Sequence, residues 1–239
     1  MNHRSNVDAA ERGAARGRVP VTAPAIVVLI HGLGRTAGCW RSLRRSLGQA
    51  GYRPIAIAYP STRCDIPELV RQWIDPALSR ALDEASIQGT AVHIVTHSMG
   101  GILLRHWMQF RHLPSRSRVV MLAPPNRGSE VIDRLGRYAW FRRCMGPAAM
   151  QLSTAPTSWV NALPGWGSEA ALCIIAGSRS MDPWFNRWFE GSHDGKVAVA
   201  RTYLRGVDTR HVLPTNHTWI MNDSRVRNLI THYLQQGDR

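Results

Sequence analysis

The stretch "IVTHSMGG", residues 94–101, decides how this chain is read. Apolar and β-branched residues lead up to His97 and Ser98, and two glycines then open the apolar segment "GGILLRHWMQF". This is the pattern of a strand turning sharply into a helix with a serine at the bend, an arrangement that holds a hydroxyl at the edge of a sheet. Small residues are needed there because strand and helix pass close together. Gly100 meets that need two residues after Ser98, and Gly101 adds room for the helix to pack. Thr96 stands where the usual Gly-x-Ser-x-Gly spacing has its first glycine. Threonine is still short, so the expectation is that Ser98 is a nucleophile.

A serine alone is a poor nucleophile. It needs a base in reach, a group that orients the base, and donors for the oxyanion. Upstream, "LIHGLGR" at 29–35 places a glycine turn directly after an apolar strand. In a site of this kind the loop after that strand supplies one oxyanion donor and the residue after the serine the other. Those donors are the backbone N–H groups of Leu33 and Met99. The base is expected late in the chain, and "VLPTNHTWIMND" puts His217 in a loop before the last helix. Of the ten histidines, His31 and His97 read as neighbours of the turns, His93 as a strand residue, and His106, His112 and His232 as helical. His211 is the competitor, placed before Pro214 and still on a strand. Two aspartates can act as the acid: Asp182 in "GSRSMDP" and Asp194 in "GSHDGKV". Either preserves the chain order Ser, Asp, His.

Around these motifs, short apolar runs alternate with amphipathic segments, which predicts a parallel sheet covered by helices on both faces. The strand candidates are Ala25–Ile30, Pro54–Ala58, Val92–Thr96, Val119–Leu122 and Leu172–Ala176, with a weaker sixth at Arg201–Leu204. Trp40, Leu43 and Leu47 form one helical stripe that stops near Gly51. Asp65, Pro67 and Glu68 mark a helix start, with Asp65 as cap, and Pro76 is expected to kink or divide that helix. Asn222 to Ser224 can cap a last helix that buries Val226, Leu229, Ile230 and Tyr233. Residues 124–170 mix prolines, glycines and tryptophans without a clear strand, and are read as an insertion over the C-terminal edge of the sheet, where ligands bind in open α/β folds.

Composition narrows the class. The chain has 239 residues, 44% of them hydrophobic and 19% charged, which suits one globular domain over residues 23–239 rather than a disordered chain. Residues 1–22 read as a flexible basic tail without the apolar core of a secretory signal. The longest apolar run, "AIVVLI" at 25–30, is far too short to span a membrane. A cytoplasmic location, peripheral to a membrane at most, is the expectation. Net charge is +14, and all but one of the 30 basic residues are arginines, Lys196 being the only lysine. Such a field suits phosphates or anionic lipid headgroups. The arginines are scattered, however, and no nucleic-acid motif accompanies them, so no nucleic-acid partner is expected. The four cysteines have no metal-ligand spacing and read as small buried hydrophobes, with a Cys64–Cys144 disulfide as the alternative.

Taken together, "HGLGR", "THSMGG", "LAPPNRGSE", "HDGKV" and "NHTWIM" make residues 24–235 resemble the α/β-hydrolase superfamily, and more closely its small bacterial lipases and esterases. The resemblance implies an α/β-hydrolase fold with a sheet of about six strands and a lid region around 124–170. It also implies a Ser98–His217–Asp194 triad that cleaves carboxylic esters through an acyl-enzyme, with no cofactor and no metal. In such lipases an Asp-Gly-x-Val type segment carries the acid, which favours Asp194 and leaves Asp182 as the alternative. The segment Pro125–Ser129 matches one that helps shape the site. Ser178 departs from the family, standing where many hydrolases place their acid just after the fifth strand. The longer stretch that follows holds Trp184, Phe185, Trp188 and Phe189. Trp184 and Trp188, with His97, are candidates to line the substrate pocket or its lid. The expected partner is a small-molecule or lipid ester. Two further readings share the fold: an acyltransferase, thioesterase or amidase, and a catalytically silent membrane-binding protein.

Overall fold

The structure is a computed structural model and describes residues 23–207 and 209–237; the basic tail at 1–22 lies outside them. The apolar runs become the strands β1 (Ile26–Ile30), β2 (Arg53–Ile57), β3 (Val92–His97), β4 (Arg118–Leu122) and β5 (Ala171–Gly177). A sixth strand, β6 (Thr209–Leu213), completes a sheet of order β2-β1-β3-β4-β5-β6 in which every pairing is parallel. The expectation of a strand at Arg201–Leu204 is corrected: Val199–Thr202 is a single 3₁₀ turn. β6 lies at the sheet's edge with Thr209, Arg210 and Val212 exposed, so it lacks the apolar run of a strand covered on both sides.

Alternation along the central strands feeds two separate cores. Val27 and Leu29 of β1 face one side of the sheet, where they pack with α1 (Arg41–Gln49). Trp40, Leu43 and Leu47 are fully buried in that layer. Ile26, Val28 and Ile30 face the other side, against α2 (Ile66–Leu69), α3 (Asp75–Gln88) and α4 (Met99–Trp107). The Asp65 carboxylate caps α2 by accepting from the Glu68 N–H at 2.9 Å. Between α2 and α3 the chain makes a π-helical turn, Val70–Ile74, and Pro76 sits in the first turn of α3. Proline has no N–H to return to the preceding turn, which accounts for the division there.

Residues 124–170 contain three helices, α5 (Glu130–Leu135), α6 (Ala139–Met150) and α7 (Trp159–Ala162), inserted between β4 and β5. α6 breaks at Gly146, whose φ of 74° and close approach to the Thr62 carbonyl leave no room for a side chain. The last helix, α8 (Ser224–Gln235), is capped by Asp223 and joins α1 over the first core through Val226, Ile230, Tyr233 and Leu234. All four cysteines are free thiols, so Cys64 and Cys144 form no disulfide, and Cys144 is exposed rather than buried. No described helix is long and apolar enough to cross a membrane.

Candidate active site

β3 ends at His97 and α4 begins at Met99, leaving Ser98 alone at the bend with φ 52° and ψ −125°. A non-glycine residue in this region is strained and must be held by its surroundings. The Ser98 N–H donates to the Leu122 carbonyl at 2.8 Å, fixing the bend to β4. A Cβ on Gly100 would lie 2.4 Å from the Ile30 carbonyl oxygen and 2.7 Å from that of His31, so only glycine lets α4 pass β1. Thr96 is explained by its neighbour: its Oγ1 would sit 3.2 Å from a Cβ on Gly101. The second glycine leaves the space that the threonine takes.

Three side chains meet at this bend. The imidazole of His217, on the loop after β6, has Nε2 3.0 Å from Ser98 Oγ and Nδ1 2.7 Å from Asp194 Oδ2. With Asp194 as acceptor, Nδ1 carries the proton and Nε2 accepts from the serine hydroxyl. Asp194 is buried, and its Oδ1 accepts from the N–H groups of Lys196 and Val197 at 2.9 and 2.8 Å. The His217 N–H in turn donates to the Asp194 carbonyl at 3.0 Å, so the two loops are pinned by main chain as well. Asp182 stands apart from His217 and pairs with Lys196 Nζ at 2.8 Å. Ser178 ties β5 to β6, its N–H and hydroxyl both donating to the Leu213 carbonyl. His211 lies on β6, His93 is buried in β3 and accepts from the Arg118 N–H, and His112 lies in the loop after α4 rather than on a helix.

The glycine turn after β1 packs directly on the serine: a Cβ on Gly32 would lie 2.9 Å from Ser98 Cβ. The turn is closed by the Arg35 N–H donating to the Gly32 carbonyl, and the Gly34 N–H donates to Ser61 Oγ. Met99 is the first residue of α4, so its N–H is among those that find no acceptor inside the helix. Leu33, next to Gly32, lines the same cavity as Ser98, and Met99 follows Ser98 directly at the start of α4.

Two more histidines are buried beside the site. His31 stacks on Tyr59 with ring centres 4.0 Å apart, and the Tyr59 hydroxyl donates to the His31 carbonyl. His97 places Nε2 3.0 Å from the His217 carbonyl oxygen, its ring 4.8 Å from that of His217. Burial holds the His97 pKa well below the usual 6.5, with His217 and Arg35 adding to the effect, and burial also lowers that of His31. Below that pH the unfolded chain takes up protons that the folded protein refuses. Each histidine therefore lowers stability as pH falls from about 6.5, by up to about 1.4 kcal/mol per pH unit. Thermal melts between about pH 7 and about pH 5 should record this loss, and His97→Gln should flatten it; an unchanged slope would contradict the assignment.

Beside Ser98 and His217 lies a cavity of about 310 Å³. Its apolar wall comes from the inserted helices and the chain around them: Val131, Ile132, Leu135, Phe141, Met145 and Leu152. Sequence reading placed the insertion but not these residues, whose helical spacing reads as ordinary core. His97 lines the cavity, whereas Trp184 and Trp188 do not. Pro183–Trp188 is a 3₁₀ turn rather than an α-helical face; it presents Phe185 to the cavity and leaves Trp184 62% exposed. Trp188 stacks behind Phe185 at 4.5 Å. Among the described residues no group of three His, Cys, Asp or Glu side chains is arranged to hold a metal ion.

A parallel sheet of this order, with a serine elbow after β3 and a histidine after the last strand, defines an α/β-hydrolase architecture. The alpha/beta hydrolase family matches residues 27–237, and the chain belongs to it. No curated protein matches the sequence. Among solved structures it is similar to phospholipase PlaB from Legionella pneumophila, at 19% identity and a TM-score of 0.69 over 89% of this chain. The match spans 59% of PlaB's own length. It is also similar to the mature lipase BlEst2 of Bacillus licheniformis, at 18% identity and TM-score 0.64, covering 90% of this chain and 93% of that one. The RedJ thioesterase of Streptomyces coelicolor follows at 18% identity and TM-score 0.54, with 96% of each chain covered. At these identities the likeness is one of fold.

Proposed function

We propose that the protein is a serine hydrolase that cleaves carboxylic esters with an apolar acyl portion. One observation carries the reading: the hydrogen-bonded series Ser98–His217–Asp194 opens onto a cavity whose wall is apolar. Ser98 Oγ attacks the ester carbonyl while His217 Nε2 takes its proton. Asp194 keeps the imidazole in the tautomer that can accept, and stabilises the imidazolium once formed. The N–H groups of Leu33 and Met99 bind the negative oxygen of the tetrahedral intermediate. Its collapse breaks the ester bond, and His217 returns the proton to the leaving alkoxide. Water, activated by the same histidine, then attacks the acyl-serine and frees the acid. The side chains of the inserted helices hold the acyl chain, which makes the insertion the part that selects chain length.

p-Nitrophenyl esters of increasing chain length, with product analysis in the presence of a competing alcohol, test the proposal. The expected result is free acid as the main product and a clear optimum in chain length. Acyl groups collected mainly on the alcohol would make the protein a transferase. Binding to liposomes with no turnover of any ester would leave only the silent membrane-binding reading.

A further inference from the structure

Two cations line the cavity beside Ser98, and they differ. Lys196 is neutralised, its ammonium 2.8 Å from Asp182 and over the Phe185 ring at 4.6 Å. Arg35 has no carboxylate partner among the described residues. Its Nη2 donates to the Thr218 carbonyl, beside His217, and its guanidinium lies 5.9 Å from the centre of the Trp219 ring. These contacts hold the side chain between the glycine turn that carries Leu33 and the loop that carries His217. Guanidinium has five N–H donors in a fixed fork, and among the described residues those on Nε and Nη1 meet no acceptor. The site thus has a positioned cation with unused donors at one end and an apolar wall at the other. Its charge is felt locally: it adds to the downward shift of the His31 and His97 pKa values.

We infer that Arg35 is a substrate-binding residue that receives an anionic group, a phosphate or carboxylate, carried on the alcohol portion of the ester. The inference rests on the ester-hydrolase reading and narrows it to amphiphilic acyl esters: the chain lies along Ile132, Phe141 and Leu152, and the anion bonds to the free edge of the guanidinium. A neutral alcohol would leave that cation without a partner. Arg35 discriminates by charge and geometry together, since a planar fork matches two oxygens of one anion.

The test measures binding apart from turnover. In a Ser98→Ala background, the Kd of a decanoyl monoglyceride is compared with that of the same monoglyceride carrying a terminal phosphate. The phosphate ester should bind about ten- to a hundredfold more tightly, as expected for a charge-assisted hydrogen bond in a sheltered pocket, and the advantage should shrink with salt. Adding Arg35→Gln should erase the preference, whereas Arg35→Lys should retain part of it. Unchanged affinity for the neutral ester in these variants shows that the loops still fold. Equal Kd values for the two esters, or a preference that survives Arg35→Gln, would overturn the inference. A loss of affinity for both esters alike would make Arg35 only a brace between two loops, which also overturns it. Turnover of the neutral ester with Ser98 restored reports separately on the hydrolase reading, so the two can fail independently.

Discussion

Ser98→Ala is expected to lower kcat on p-nitrophenyl esters by on the order of a millionfold, the scale seen when a triad nucleophile is removed. The size follows from the chemistry: without Oγ no acyl-enzyme forms, and only substrate binding and the oxyanion donors continue to favour attack by water. The change is also clean. Alanine retains the Cβ against which Gly32 packs, and the Ser98 N–H that donates to Leu122 is main chain, so the bend keeps its anchor. KM should move little, because the apolar wall of the cavity is untouched. Wild-type turnover in the variant would remove Ser98 from the reaction.

Asp194→Asn should depress kcat by roughly ten-thousandfold, while Asp182→Asn should change it only severalfold. An asparagine at 194 could still accept from the Lys196 and Val197 N–H groups through one oxygen. The amide would then face His217 Nδ1 with a donor instead of an acceptor. The imidazole would be driven to the tautomer with its proton on Nε2, which cannot take the proton of Ser98. Asp182, by contrast, holds only the partly exposed Lys196 side chain, and such pairs contribute about 0–1 kcal/mol. The reverse ranking of the two variants would reassign the acid.

The two aspartates also mark where sequence stops being sufficient. Order along the chain admits both, and Ser178 removes the position that would have decided between them. What separates them is the hairpin-like turn at 192–198, where His193 bridges to Ala198 and the Asp194 carboxylate accepts from the Lys196 and Val197 N–H groups. The elbow was legible because one local pattern encodes it: strand, bend and helix fall within a dozen residues, and Gly100 is a steric requirement with a single solution. β1, β3, β4 and β5 were legible because burial on both faces makes them continuous apolar runs. β6 was not, since an edge strand can carry Thr209 and Arg210. Trp184 drew attention as a large aromatic, but the 3₁₀ turn points it outward and gives the cavity to Phe185. Arg35 escaped notice for a different reason. In a chain with 29 arginines, nothing in "HGLGR" sets this one apart until Thr218 and Trp219 come to lie against it.

The central claim is that Ser98, activated by His217 and Asp194, forms a covalent acyl intermediate. Labelling with a fluorophosphonate, read by intact-protein and peptide mass spectrometry, tests it most directly. One adduct per chain on Ser98 is predicted, absent in Ser98→Ala and formed far more slowly in His217→Ala. Failure of the native protein to label, or an adduct on any other residue, would contradict it.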